Sequence, residues 1–195
     1  MSKRIFILNG HPADHSLNQS LAEAYAKAAK DAGHDVRLTH LSTLSFDMDY
    51  GFAGYAQSKP LEPCLETLLS DIEWCEHFVL TTPMWWGSLP AKLKGAIDRA
   101  FLPGRTFDTR VAKGKMPRPL LVGRTARVIL TSDSPKWFLS LLYRNAMLHQ
   151  LQGQILGFVG IKPTRFTYLA GASHPKPGQI EKWHDKVTTL GTKAA

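Results

Sequence analysis

The chain contains only two cysteines among 195 residues, Cys64 and Cys75. They stand on what reads as a helix and the approach to a strand, with neither CxxC nor zinc-ligand spacing, so a disulfide scaffold and a zinc fold are excluded and two buried thiols are expected. Long apolar runs are also missing. None approaches the ~20 residues of a bilayer-spanning helix, and the apolar stretch in the opening Met-Ser-Lys-Arg-Ile-Phe-Ile-Leu is too short for a secretory signal. A cytoplasmic protein without an integral membrane segment is expected. Neither GxGxxG nor GxxxxGK[ST] occurs, which removes the ordinary dinucleotide fingerprint and the Walker A phosphate loop. Self-similarity at roughly 20 to 50 residues and low-complexity tracts are absent, which excludes solenoids and propellers. Acidic residues are few, 16 against 24 Lys and Arg, for a net charge of +8. The excess lies between Lys92 and Arg127, where the only acids are Asp98 and Asp108. Such a basic region can attract anionic cofactors, substrates or nucleic acid. No helix-turn-helix, RNA-binding aromatic pattern or zinc knuckle accompanies it, so no nucleic-acid partner is expected.

Apolar residues at 44% and charged residues at 21% fit a folded domain rather than a disordered chain. No linker divides residues 1–195, which are expected to form one domain. Ile5-Phe6-Ile7-Leu8 is wholly apolar, as in a central strand covered on both faces. Leu17, Leu21, Ala24, Tyr25, Ala28 and Ala32 recur at helical spacing, with Gly33 as the stop. Val36, Leu38 and His40 form a second strand, and 41–58 reads as a long connection without clear period. A helix through Leu61, Leu65, Leu68, Leu69 and Ile72 precedes a third strand at Phe78-Val79-Leu80. Ser88 is the expected N-cap of a helix burying Leu93, Ile97, Ala100 and Phe101. A basic loop then runs to Arg124 and a fourth strand covers 126–130. Ser134-Pro135 is expected to open a helix burying Phe138, Leu141, Leu142 and Leu148. A fifth strand covers 164–169, and Pro177 opens a terminal helix with Ile180, Trp183, Val187 and Leu190 inward. Strands separated by helices imply a parallel α/β sheet covered on both faces.

In such a sheet, ligands bind beyond the carboxyl ends of the strands, where three loops fall. The first, from Asn9, brings Ser16, Leu17 and Asn18 to the first turn of a helix, whose free N–H groups and dipole suit a phosphate with help from His11. A plain capping role for Ser16 is the alternative. His11 and His15 do not form a metal pair, because Pro12 breaks the helical spacing and no cysteine partner is near. The second loop, from Pro83, carries adjacent Trp85 and Trp86. Successive side chains at a strand end point to opposite sides, so both cannot enter one core and one should meet a flat ligand. The third, Thr131-Ser132-Asp133-Ser134-Pro135, offers hydroxyls, a carboxylate and helix-start amides.

These residues resemble a known family, the flavodoxin-like NAD(P)H:quinone oxidoreductases. The resemblance is carried by His-Pro-x-x-x-Ser-Leu-Asn at 11–18, Pro-x-Trp-Trp-Gly-Ser-x-Pro-Ala-x-Leu-Lys-Gly at 83–95 with Ile97-Asp98-Arg99, Thr-Ser-Asp-x-Pro at 131–135, and Leu-Gly-Phe-x-Gly-Ile-Lys-Pro at 156–163. It implies an open five-stranded parallel sheet of order 2-1-3-4-5. It implies a flavin, FMN with FAD as the alternative, whose phosphate is held by His11, Ser16, Leu17 and Asn18. The ring would lie against the loop from Pro83, at Met84, Trp85, Trp86 and Gly87, with Thr131, Ser132, Asp133 and Ser134 at its pyrimidine edge. The implied activity is ping-pong transfer from NAD(P)H through the flavin to a quinone or a similar nitro or azo electrophile, with the chemistry on the flavin and no catalytic side chain. A homodimer is implied, with Phe52, Tyr55, Trp137 and Phe138 near the flavin or the partner chain. Tyr143 and His149 are the nearest acceptor-side candidates and are not assigned catalysis. Asp133-Ser134 replaces a Gly-Gly turn seen in animal relatives. The alternative function implied by the resemblance is a regulatory flavoprotein of a potassium efflux transporter.

Overall fold

In a computed structural model, residues 2–51 and 58–194 are described. Parallel strands β1 (Arg4–Asn9), β2 (Asp35–His40), β3 (His77–Pro83), β6 (Thr125–Ser132) and β7 (Thr164–Ala170) form a sheet of order β2-β1-β3-β6-β7. This is the expected 2-1-3-4-5 order, because the short antiparallel ribbon β4 (Phe107–Asp108) and β5 (Arg118–Pro119) lies outside the sheet. The sequence reading missed that ribbon in the basic loop. Helices α1 (Leu17–Asp31), α2 (Pro63–Trp74), α3 (Ala91–Ala100), α4 (Lys136–Tyr143), α5 (Ala146–His149) and α6 (Gln179–Lys193) connect the strands, and a π-helical stretch at Gln150–Gly157 continues from α5.

Alternation along the strands makes two cores. Phe6, Leu8, Phe78, Leu80, Val128 and Leu130 pack with α2, α3 and the π-helical stretch. Ile5, Ile7, Val79 and Ile129 face Leu21, Tyr25 and Ala29 of α1 and Trp183 and Val187 of α6. α1 stops at Gly33 as expected: the Gly33 N–H donates to the Lys30 carbonyl and that of His34 to the Ala29 carbonyl, satisfying two helix-end acceptors.

Several expectations need correction. Ser88 and Ser134 do not cap helices; α3 and α4 begin after Pro90 and Pro135 at the capping positions. Leu141 and Leu142 are exposed, and Ile180 is at the surface. The helix expected to run through Leu148 breaks after Tyr143, because Arg144 and Asn145 adopt left-handed φ of 48° and 53°. Leu148 is buried as expected, joined by Met147 after the break and by Leu139 before it in place of Leu141 and Leu142. Of the cysteines, Cys75 is buried but Cys64 only half-buried, and burial pushes the Cys75 thiol up to about 11. Nor is the +8 segment an open basic field. Lys94 pairs with Asp98, Arg105 with Glu66 and Glu73, and Arg110 and Arg118 with Asp108.

Arg99 of the same segment is 1% exposed and clamps the connection before α2. Its guanidinium reaches both carboxylate oxygens of Glu62 at 3.0 and 3.2 Å and donates to the carbonyls of Pro60 and Asp47. Arg99 is buried and Glu62 half-buried, so removing the guanidinium leaves the Pro60 and Asp47 carbonyls and the Glu62 carboxylate without this donor and deletes the packed stem, at a cost of about 3 kcal/mol. Arg99→Ala is therefore expected to lower unfolding free energy by about 3 kcal/mol, read from urea curves. A loss below about 1 kcal/mol would show that the clamp is dispensable.

His77, at the start of β3, is 3% exposed. Burial, reinforced by Lys3, Arg127, Arg165 and His34, lowers its pKa from 6.5 to about 4. The unfolded chain takes up this proton first, so the associated stability is complete above pH 6.5 and is lost as pH falls toward 4. The difference amounts to roughly 3 kcal/mol. Between pH 7 and 4, wild type should lose roughly that much more stability than His77→Gln in urea titrations; parallel losses would mean the ring charges freely in the fold.

Candidate active site

The carboxyl ends of β1, β3 and β6 are joined by buried side-chain hydrogen bonds. The Thr81 hydroxyl donates to the Asn18 carbonyl at 2.9 Å, and Asn18 Nδ2 donates to the Thr131 hydroxyl at 2.9 Å. Asn9 Oδ1 accepts from the His11 N–H, and the Gly10 N–H donates to the Thr81 carbonyl at 2.7 Å. A Cβ on Gly10 would stand 2.6 Å from Leu93 Cδ2 and 3.2 Å from the Thr81 carbonyl, so the β1 loop passes where only glycine fits. Together these bonds set the start of α1 against the ends of β3 and β6.

In the first loop, Ser16 is the N-cap of α1, its Oγ accepting from the Gln19 N–H at 3.1 Å. The capping alternative is thus part of the geometry, yet the hydroxyl proton remains available to a ligand. Leu17 and Asn18 occupy the first turn, where N–H groups lack intrahelical acceptors. His11 Nδ1 accepts from the Ala13 N–H, which places the ring proton of the neutral form on Nε2. Burial lowers the His11 pKa, which favours this neutral donor. Asn18 Oδ1 is buried without a partner. Among the described residues no group of three or more His, Cys, Asp or Glu is placed to hold a metal ion.

In the second loop, Trp85 and Ser88 exchange both backbone hydrogen bonds, at 3.0 and 2.9 Å, around Trp86 and Gly87 with φ of 52° and 73°. This is a type I′ turn, which suits glycine at its second centre but strains a tryptophan at its first. The turn, rather than strand alternation, separates the two indoles. Trp85 meets the edge of the His11 ring, centroids 5.4 Å apart, while Trp86 is fully exposed. Neither is a core tryptophan. Met84 donates its N–H to the Thr131 carbonyl, which fixes this loop to the third.

In the third loop, the Ser132 hydroxyl accepts from the Ser134 N–H, and Asp133 accepts from the N–H and hydroxyl of Ser173 at 2.7 and 2.8 Å. The two Ser173 bonds hold the Asp133 carboxyl below its usual pKa. Tyr168 donates to the Ser134 carbonyl at 2.6 Å. The Asp133 carboxylate is thus engaged with the protein, leaving backbone and hydroxyl groups to face a ligand.

The second and third loops share a cavity of about 620 Å³ with Phe138, Tyr143 and Asn145. Met84, Trp86, Gly87, Ser132, Asp133 and Ser134 line it. His11, Ser16, Leu17 and Asn18 do not line it; they lie beside it, coupled through the His11–Trp85 and Asn18–Thr131 contacts. Pro83, Trp85, Thr131 and Trp137 also stay outside its lining, and His149 is an exposed residue away from it. Phe52 and Tyr55 lie outside the described residues. Asn145, Ala146, Met147 and Leu148 were missed because an uninterrupted helical pattern hides the left-handed break that turns them toward the cavity.

A parallel sheet of this order, with loops from three strand ends meeting beside a helix N-terminus, defines a flavodoxin-like protein. A family model described as flavodoxin-like fold matches residues 3–190, and the chain belongs to that family. It is 32% identical over 112 residues to FMN-dependent NADH:quinone oxidoreductase 1 of Bradyrhizobium diazoefficiens, covering 56% of this chain and 52% of that one. Identity is 31% over 138 residues to the FMN-dependent NADH:quinone oxidoreductase of Polaromonas naphthalenivorans, covering 68% and 61%. The chain thus spans between about half and two thirds of the length of these curated relatives. The solved NAD(P)H:quinone oxidoreductase from Methanothermobacter marburgensis aligns over 100% of both chains with a TM-score of 0.83 at 22% identity, a likeness of fold. Among the described residues no helix is long and apolar enough to cross a membrane.

Trp86→Gly should relieve the left-handed strain and raise the unfolding free energy of the ligand-free protein by roughly 1 kcal/mol in urea titrations. Destabilisation by that variant would show that the exposed indole makes a supporting contact.

Proposed function

We propose that the chain is an FMN-dependent NAD(P)H:quinone oxidoreductase that also accepts azo or nitro electrophiles of similar shape. The observation that carries this reading is the 620 Å³ cavity, flat-sided at Trp86 and Met84, edged by the Ser132–Ser134 loop, and placed beside the α1 N-terminus. FMN suits both parts. Its phosphate matches the first-turn N–H groups at Leu17 and Asn18, the Ser16 hydroxyl and the His11 Nε2–H. Its ring matches the exposed indole and the turn amides. The names of the Bradyrhizobium and Polaromonas relatives support the same cofactor and acceptor.

When bound, the flavin supplies two-electron chemistry, taking hydride from a nicotinamide and passing the electrons to a quinone. The protein binds and orients. The Gly87 N–H, placed by the type I′ turn, and the Ser132 hydroxyl would offer dipoles to negative charge on a bound flavin ring. Trp86, Phe138 and Tyr143 wall the space for donor and acceptor, which use it in turn, and this sharing yields ping-pong kinetics. Outside the cavity, Trp137, Leu141 and Leu142 of α4 are exposed, a contiguous apolar face suited to a second copy of this chain. The working form is accordingly a homodimer with Trp137 and Phe138 at or beside the shared interface.

The test is anaerobic. Protein reconstituted with FMN should bleach on adding NAD(P)H and recover on adding a quinone, with parallel double-reciprocal lines in steady state. Ser16→Ala removes a hydrogen bond to a charged group and should weaken FMN about tenfold in a fluorescence titration. Absence of FMN binding, or bound FMN inert to both nicotinamides, sinks the reading. Leu141→Glu with Leu142→Glu should halve the mass seen in sedimentation; an unchanged mass would place any dimer contact elsewhere.

A further inference from the structure

The opposite end of the sheet carries a second concentration of functional chemistry. β1, β3, β6 and β7 are parallel, and their register sets Val79 beside Arg127 and Arg127 beside Arg165, with His77 beside Thr125. Alternation puts these residues on the face covered by α1 and α6. There, at the amino ends of the strands, α6 terminates and leaves a hollow of about 160 Å³ lined by Lys3, His77, Thr125, Arg165, Lys193 and Ala194 among others. Among the described residues no carboxylate side chain belongs to that lining. Glu76, the nearest acid in sequence, bonds the Arg4 N–H and pairs with the Arg4 guanidinium. Lys3 donates to the Ala194 carbonyl at 2.9 Å, which fixes its ammonium at the rim.

His77 is the informative member. It is 3% exposed, its Nδ1 lies 2.7 Å from the Thr125 hydroxyl, and its Nε2 has no hydrogen-bond partner. A buried polar atom normally finds a partner, and one left over beside several cations points to a missing acceptor. The Thr125 hydroxyl donates to Nδ1 in the tautomer that carries its proton on Nε2, and an oxyanion in the hollow would select that tautomer. We propose that this hollow binds a phosphate-sized oxyanion, held by Lys3, Arg165 and Lys193 and by the Nε2–H of His77. Liquid water takes about 30 Å³ per molecule, so the space admits a five-atom oxyanion with a little water and no large ligand. The groups facing His77 are Lys3 ahead of β1, His34 in the turn before β2, Arg127 of β6, Arg165 of β7 and, across the hollow, Lys193 of α6. All are cations or can become cations, and burial, reinforced by Lys3, Arg127, Arg165 and His34, keeps the ring neutral when no anion is present. An oxyanion reverses that balance and lets the ring accept a proton.

The test is a titration with inorganic phosphate at constant ionic strength, using sodium chloride as balance. The melting temperature should rise saturably, and the His77 ring nitrogen resonances should move with the same half-saturation. Phosphate should also raise the pH at which this ring protonates. Arg165 and Lys193 are surface residues, so Arg165→Gln with Lys193→Gln should fold normally and weaken phosphate by about tenfold or more. Phosphate bound at α1 would leave the His77 resonances still and would survive this double variant, so that site is told apart. His77 resonances that do not respond, a response that never saturates, or an unchanged response in the double variant would overturn the proposal.

Discussion

The buried polar belt at the carboxyl edge of the sheet is the constraint on which the rest depends. Thr81 holds Asn18, Asn18 holds Thr131, and Gly10 lets the β1 loop pass within hydrogen-bonding distance of the Thr81 carbonyl. Asn9, Asn18, Thr81 and Thr131 are all essentially buried, so each bond replaces water that cannot reach them. An apolar replacement would fill the same volume but would leave three loops without a common reference. With the belt in place, the first turn of α1, the tryptophan turn and the Ser132–Ser134 loop are positioned by one network.

Rigidity at that edge allows strain and exposure next to it. Trp86 occupies a left-handed position and stands fully in solvent, a combination that neither folding nor solubility rewards. The same holds for the Arg144–Asn145 break, which shortens α4, turns Met147 and Leu148 inward and leaves Leu141 and Leu142 outside. Both features border the same cavity, whose wall is shaped from short segments. The two ends of the sheet differ in charge for a related reason. Ion pairs absorb much of the basic segment around α3 and the ribbon, whereas the cations that line the hollow at His77, Lys3, Arg165 and Lys193, come from three separate parts of the chain.

The order of strands and helices was legible in the residues. Apolar runs such as Ile5–Leu8, the three-and-four spacing of α1 and the Gly33 stop are local signals, and local hydrogen bonding obeys them. That the three loops lie together was legible because a parallel sheet always presents its strand ends at one edge. Less legible were the caps. Ser88 and Ser134 have the right chemistry, but Ser88 is bound into the Trp85 turn and the Ser134 N–H is taken by Ser132, so prolines stand at those helix starts.

By itself the sequence determined the α/β alternation, the inward faces of the strands and the residues offered at each loop, since these follow from periodicity and side-chain chemistry within a few positions. The tertiary structure decided which of those residues meet. Asn18 and Thr131 are 113 positions apart, and only the sheet register brings them to 2.9 Å. The exposure of Trp86, the left-handed break before Asn145, the pairing of the basic segment and the gathering of cations at His77 were likewise settled by packing. Each depends on contacts between distant parts of the chain, and local propensity does not encode the distance between them.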